Sequence, residues 1–140
     1  KSISKNDFDA FSNYDLIYFM GGDCLPLITL ANTNGIKPAI INFLKSNKTI
    51  IGQSAGTLFF TKNLKYYYEA KKGTKPKYDI PLKTYAGLAM VEEIFFPHYD
   101  KQPESEVEKI KSVEKQNNIT FTKLNDGDYF VYSLSDLNIQ

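Results

Sequence analysis

A serine flanked by two glycines lies where two apolar segments of this 140-residue chain meet. Residues 49–51 are Thr-Ile-Ile, the pentapeptide Gly52-Gln53-Ser54-Ala55-Gly56 follows, and residues 57–60 are Thr-Leu-Phe-Phe. An apolar run that ends at glycine and resumes after a short polar turn predicts a buried strand over 49–53 and a helix over 55–62. Because a strand that passes directly into a helix is a unit of α/β folds, this junction restricts the possible fold more than any other feature of the sequence.

Strand-like and helix-like segments alternate along the rest of the chain. The predicted elements are strands at 15–20, 49–53 and 91–96, helices at 25–31, from about Pro38, at 55–62 and from about Pro103, and two final strands at 119–124 and 129–134. The turn Asn125-Asp126-Gly127-Asp128 predicts that the final two strands form a hairpin. The polar residues 63–83 predict an excursion or a lid. The alternation predicts one α/β domain over residues 1–140 with a largely parallel sheet.

Charge and cysteine content narrow the function classes. The formal net charge is +1, which gives the chain no bulk attraction to nucleic acid or anionic membranes. All 17 basic residues are Lys, so the chain has no Arg that could bind a carboxylate through two hydrogen bonds. Cys24 is the only cysteine, which excludes an internal disulfide and fits a cytoplasmic protein. No apolar run reaches membrane-spanning length and no signal peptide opens the chain, which begins at Lys1 and is therefore expected to be a processed product or a fragment.

The pentapeptide is a G-x-S-x-G sequence between a predicted strand and a predicted helix, which is the setting of a nucleophile elbow. Ser54 is therefore the candidate nucleophile, the alternative being a purely structural turn. A serine needs a base, and the chain has a single histidine, His98, directly after a predicted strand and Pro97. Since active sites of parallel sheets lie at the carboxyl ends of the strands, both residues are expected at one edge, together with Gly21-Gly22-Asp23.

The remaining parts of a hydrolytic site are less well determined. The carboxylate that would orient His98 has several candidates, which the residue pattern alone does not separate: Glu69, Asp79, Glu92, Glu93 and Asp100. Backbone N–H groups of Ala55 and Gly22 are the candidate oxyanion donors. Asp23 either contacts a substrate amine or caps a helix. His98 follows Ser54 by 44 positions, a separation too short for the α/β-hydrolase fold, so the triad must be compact.

Three segments together resemble peptidase family S51, the family of dipeptidase E and cyanophycinase. They are "YDLIYFMGGD", "TIIGQSAGTLFF" and "YAGLAMVEEIFFPHYD", and "NDGD" also resembles a turn of that family; the resemblance covers residues 7 to 134. It implies a flavodoxin-like sheet related to class I glutamine amidotransferases, flanked by helices. It also implies a Ser-His-Asp/Glu triad that cleaves small peptides next to an aspartyl residue, without metal or cofactor. The family normally carries a further strand–helix unit before the 15–20 strand, which this chain would lack.

Carried over to this sequence, the resemblance assigns Ser54 as nucleophile, His98 as base and Gly22 as an oxyanion donor. It favours Glu69 as the triad acid, with Asp79 as the second choice. Because members with aspartyl specificity hold the substrate carboxylate with Arg, Lys101 is the candidate substitute here, with the Lys71–Lys77 loop as the other source.

Two rival hypotheses remain beside the peptidase. One is a non-catalytic, degenerate binding domain, which a Ser54 hydroxyl beyond hydrogen-bond reach of His98 would support. The other is a small esterase or amidase using the same residues. The expected partner is a small peptide substrate, and the oligomeric state is left open.

Overall fold

The chain folds as alternating strands and helices, and a computed structural model describes residues 11–71 and 85–139. The elements are β1 (Leu16–Phe19), α1 (Cys24–Asn34), α2 (Lys37–Lys45), β2 (Thr49–Gly52), α3 (Ala55–Leu58), α4 (Lys65–Ala70), β3 (Ile94–Pro97), α5 (Glu104–Asn117) and β4 (Phe121–Leu124). Short 3₁₀ turns lie at Tyr99–Lys101 and Leu134–Asp136. The prediction of an α/β protein with short parallel strands and flanking helices is confirmed.

Within the described residues, the four strands form two parallel pairs. Strand β1 pairs with β2 from Leu16↔Thr49 to Phe19↔Gly52, and β3 pairs with β4 from Ile94↔Phe121 to Pro97↔Leu124. Helices connect the members of each pair, as parallel strands require. Because both strands of a pair run in the same direction, their carboxyl ends meet at one edge. The segments that leave those ends carry Gly21, Ser54, His98 and Asp126.

In the part of the chain that the structure describes, buried apolar side chains form two clusters. The larger one joins α1, α2 and α3 to the strands and to residues 85–91. Helix α3 follows β2 directly and packs against β1, β2 and β3, so the turn before it is held from several sides. The smaller cluster lies between α4, α5, β3 and β4 and contains Ala70, Phe96, Ile110, Val113 and Phe121.

The prediction of a hairpin near the carboxyl end of the chain is wrong. Strand β4 pairs in parallel with β3, which gives Phe121 a buried position beside Phe96. Residues 129–133 form no strand, and the side chains of Tyr129 and Val131 are 82% exposed. The Asn-Asp-Gly-Asp turn forms as predicted, with Asp128 Oδ2 accepting from Asn125 N at 2.8 Å, but it follows a parallel strand rather than joining two antiparallel ones.

The boundaries of two further elements differ from the predicted ones because of local features of the chain. Helix α1 continues past the predicted end at residue 31 as far as Asn34 and stops before Gly35, whose φ of +62° suits the left-handed position after a helix. The predicted polar excursion contains α4, whose Tyr67 packs on Phe96 with the ring centroids 5.1 Å apart. Residues 72–83 of that excursion, including Asp79, lie outside the described residues.

Gly56 is required by the packing of α3 on β1. A Cβ atom at this position would lie 2.0 Å from the carbonyl oxygen of Phe19. We expect Gly56→Ala to destabilise the fold by about 3 kcal/mol or more, because the clash is with main chain that cannot move aside. Urea unfolding followed by circular dichroism measures the loss.

Gly35→Asn is the matched control for that substitution. Nothing lies within 4 Å of a Cβ built at Gly35, and Asn tolerates its positive φ, so the expected cost is below about 1 kcal/mol. Equal stability losses in the two variants would contradict the steric account of Gly56.

Candidate active site

Ser54 lies at a sharp turn between β2 and α3. Its φ of 53° and ψ of −112° place a non-glycine residue in a strained backbone region. Hydrogen bonds hold it there: Thr57 N and Leu58 N both donate to Ser54 O, and Thr57 Oγ1 donates to Gly52 O at 2.8 Å. The backbone at Gly56 lies too close to Phe19 for any side chain. This turn therefore has the geometry of a nucleophile elbow, in which a strained serine projects from a strand-to-helix junction.

His98 lies in a second strained turn, directly after β3. Its φ of 57° and ψ of 37° are left-handed. The carbonyl oxygen of His98 accepts from Gln102 Nε2 at 2.5 Å and from Lys101 N at 3.1 Å. These bonds fix the backbone that carries the imidazole. Two non-glycine residues with positive φ, from two different strand ends, are thus brought to one place.

The side chains of Ser54, His98 and Asp126 form a continuous hydrogen-bonded chain. Ser54 Oγ lies 2.9 Å from His98 Nε2, and His98 Nδ1 lies 2.5 Å from Asp126 Oδ1. With Nδ1–H donating to the carboxylate, Nε2 is free to accept the serine hydroxyl proton. The side chains of His98 and Asp126 are 46% and 49% exposed, so the chain of contacts opens to solvent on one side.

Asp126, and not Glu69, is the carboxylate that contacts His98. Glu69 lies on α4 with an exposed side chain, and both imidazole nitrogens already have other partners. The expectation that Glu69 orients His98 is therefore corrected, because Asp126 is the carboxylate at His98 Nδ1. Asp126 was overlooked since its turn was predicted to join a hairpin. Had residues 121–124 been interpreted as a parallel strand, the same rule that placed Ser54 and His98 would have placed Asp126.

A second aspartate supports the turn that carries Asp126. Asp100 Oδ1 accepts from Asp126 N at 3.0 Å, and Asp100 Oδ2 lies 3.2 Å from Lys101 Nζ. The Asp126 N–H lowers the pKa of the Asp100 carboxyl, with a further contribution from Lys101. The same carboxylate raises the pKa of the Lys101 ammonium. Lys101, expected to bind substrate, is therefore paired within the protein as well as exposed.

The glycine pair after β1 lies next to the serine. A Cβ built at Gly21 would lie 3.3 Å from Ser54 Cβ and 3.7 Å from Ser54 Oγ. Gly22 follows with φ of +138°, a conformation that favours glycine, and nothing within 4 Å would meet a Cβ there. Ala55 is the first residue of α3. The two segments expected to supply oxyanion donors thus flank Ser54.

Asp23 and Cys24 begin α1 beside this edge. Asp23 Oδ1 accepts from Leu25 N at 3.1 Å, which is a helix-capping bond, and from Tyr68 OH at 3.3 Å. Cys24 is 2% exposed and lies 3.2 Å from the same hydroxyl. Burial raises the pKa of the Cys24 thiol to about 11, which keeps it protonated at neutral pH. Cys24 is therefore a packed side chain rather than a nucleophile.

The described residues form neither a metal-binding cluster nor a membrane-spanning helix. Over residues 11–71 and 85–139, no group of three or more His, Cys, Asp or Glu side chains is arranged to hold a metal ion. Within the same part of the chain, no helix has the length and apolarity needed to cross a membrane.

The fold and the site define an α/β protein that presents a serine on a nucleophile elbow beside a histidine and an aspartate. The model of peptidase family S51 matches residues 3–139, and the chain belongs to this family. The expected resemblance is thus confirmed over nearly the whole length of the chain.

Known relatives agree with that assignment. The uncharacterized peptidase Lmo0363 of Listeria monocytogenes is 29% identical over 105 residues, which are 75% of this chain and 46% of that protein. The uncharacterized peptidase Lin0382 of Listeria innocua is 28% identical over 102 residues, which are 73% of this chain and 44% of that protein. The chain thus spans slightly less than half the length of these curated relatives.

A solved structure gives the same fold. The crystal structure of a Listeria monocytogenes protein provisionally named peptidase E superposes with a TM-score of 0.67 at 22% identity, over 89% of this chain and 58% of that one. At this level of identity the likeness concerns the fold, and it agrees with the expected flavodoxin-like architecture.

Proposed function

We propose that this chain carries the active site of a serine peptidase of the dipeptidase E type, which hydrolyses small peptides through Ser54, His98 and Asp126. The observation that carries the proposal is the unbroken sequence of contacts from Ser54 Oγ to His98 Nε2 and from His98 Nδ1 to Asp126 Oδ1. Membership of family S51 and the peptidase names of the relatives support the same reaction class.

In the proposed first half-reaction, His98 Nε2 removes the hydroxyl proton as Ser54 Oγ attacks the peptide carbonyl carbon. The imidazolium that forms is stabilised by the Asp126 carboxylate at Nδ1. His98 then gives the proton to the leaving amine, the C–N bond breaks, and an ester joins the acyl group to Ser54. In the second half, His98 removes a proton from water, which attacks the ester and releases the carboxylic acid and the free serine.

The tetrahedral intermediates carry an oxyanion that needs donors already in place. We propose the N–H groups of Ala55 and Gly22 for this role, as the first residue of α3 after the nucleophile and the second glycine of the pair that follows β1. The lack of side chain at Gly22 lets substrate approach the main chain closely.

Substrate binding is proposed to involve Asp23 and Lys101. Asp23 is exposed at the edge that holds Ser54, and its charge suits the α-ammonium of a short peptide. Lys101 is the nearest cation in sequence to His98 and could attract an aspartyl carboxylate, as a point charge without the two-pronged geometry of Arg. Because Asp100 already pairs with Lys101, we expect only a weak preference for aspartyl substrates.

If the chain were a non-catalytic binding domain, the Ser54 hydroxyl would be expected to lie beyond hydrogen-bond reach of His98. The 2.9 Å separation of Ser54 Oγ and His98 Nε2 is within hydrogen-bond reach, so it favours the catalytic proposal.

A fluorophosphonate probe tests whether Ser54 is an activated nucleophile. We expect stoichiometric labelling of Ser54 in folded protein and none in urea, because activation depends on the assembled His98 contact. A panel of aspartyl dipeptides, other dipeptides and simple esters then separates peptidase from esterase. Folded protein whose Ser54 stays unlabelled would argue for a binding domain, and turnover of esters alone would argue for an esterase.

A further inference from the structure

The turn that presents His98 also carries the side chain that fixes Asp126. The residues 98–102 leave the end of β3, while Asp126 leaves the end of β4, and these strands are paired with Pro97 opposite Leu124. Asp100 reaches across this pair to accept the Asp126 N–H at 3.0 Å. The His98 backbone and the Asp126 backbone are thus joined by a side chain as well as by the imidazole contact.

We propose that Asp100 is a positioning residue, which holds the Asp126 carboxylate against His98 Nδ1 by binding the Asp126 backbone N–H. This inference rests on the proposed function, since it assigns Asp100 a role in that site. The residue itself need not touch substrate.

Three observations support the role. Asp126 is 49% exposed, so packing alone does not fix its side chain. Its turn is instead held by two carboxylates, Asp100 on Asp126 N and Asp128 on Asn125 N. Lys101 in turn pairs with the second oxygen of Asp100, which orients that carboxylate toward the turn. A chain of polar contacts therefore runs from Lys101 through Asp100 and Asp126 to His98.

The consequences of losing Asp100 follow from geometry. Small displacements of a catalytic group cost large factors in rate, while substrate binding elsewhere is unaffected. Measured on a dipeptide without an acidic side chain, whose binding does not depend on the release of Lys101 from Asp100, we expect Asp100→Ala to lower kcat by about 10- to 100-fold with KM nearly unchanged. Asp100→Asn keeps an oxygen that can accept the Asp126 N–H, and we expect it to restore most of the rate.

The single histidine allows a second measurement that does not need turnover. The Nδ1–H proton between His98 and Asp126 gives a downfield resonance in proton NMR, and ¹⁵N-histidine labelling assigns it without ambiguity because the chain has no other histidine. We expect the resonance in the wild type and in Asp100→Asn, and its loss or broadening in Asp100→Ala.

Asp136→Ala is the matched control. Its carboxylate also accepts a backbone N–H, that of Ser133 at 2.7 Å, in an exposed turn. It should leave rate and resonance unchanged, and thermal unfolding checks that every variant is folded. A folded Asp100→Ala protein with an intact resonance would overturn the proposal, as would equal losses in the Asn and Ala variants. If wild-type protein shows the resonance but hydrolyses no substrate, the proposed function fails while the role of Asp100 is still measured.

Discussion

Replacing Ser54 with alanine is expected to lower kcat by about 10⁴-fold or more, because the remaining groups cannot form the acyl-enzyme. The fold should survive, since alanine keeps the Cβ and the same backbone conformation, and the hydrogen bonds that define the turn come from Thr57 and Leu58. The rate of hydrolysis of the best substrate from the peptide panel measures the loss of activity. The urea unfolding midpoint measures whether the fold has kept its stability.

Ser46→Ala is the control for loss of a hydroxyl. Ser46 Oγ donates to Asn42 O at the end of α2, so its removal should change activity by less than about two-fold. Residual activity in Ser54→Ala at the wild-type level would exclude Ser54 as the nucleophile. A collapse of stability in that variant would instead show that the serine shapes the turn.

Asp126→Asn is expected to lower kcat by roughly 10³- to 10⁴-fold. The amide keeps the size of the side chain but removes the charge that stabilises the imidazolium, and its NH2 group can donate to Nδ1 and so favour the tautomer with the proton on Nε2. The partial exposure of Asp126 places the expected loss toward the lower end of this range.

Glu69→Gln separates the two assignments of the acid. The side chain of Glu69 is exposed on α4, and we expect the variant to keep full activity. Steady-state kinetics of Glu69→Gln and Asp126→Asn on one substrate shows which carboxylate is the triad acid. A large loss in Glu69→Gln together with little change in Asp126→Asn would reverse the assignment made from the structure.

Local sequence carried most of the information on the strands and the nucleophile turn. A tight turn after an apolar run needs residues that accept unusual backbone angles or close contacts. Gly52 and Gly56 supply such residues on either side of Ser54, within five positions. The same holds for α5, whose apolar residues Ile110 and Val113 recur at helical spacing. These two predictions, each made from spacing along one segment, agree with the structure, whereas the strand predicted from the local pattern over 129–134 does not form.

Pairing between distant segments could not be obtained in that way. The apolar runs 119–124 and 129–134 with a turn between them suit a hairpin, yet Phe121–Leu124 pairs with β3, more than twenty residues earlier in the chain. Local residues do not encode which strand offers the better buried neighbour, since that depends on packing between Phe96 and the helices α4 and α5.

By itself, the sequence determined that a serine lies on a turn between two glycines and that a single histidine could act as its base. The tertiary structure decided which carboxylate meets that histidine. Candidates lie at several points of the chain, and only the parallel pairing of β3 with β4 brings Asp126 within 2.5 Å of His98 Nδ1 and Asp100 within 3.0 Å of Asp126 N. The physical reason is that a hydrogen bond depends on distance in space, which strand pairing sets and sequence separation does not.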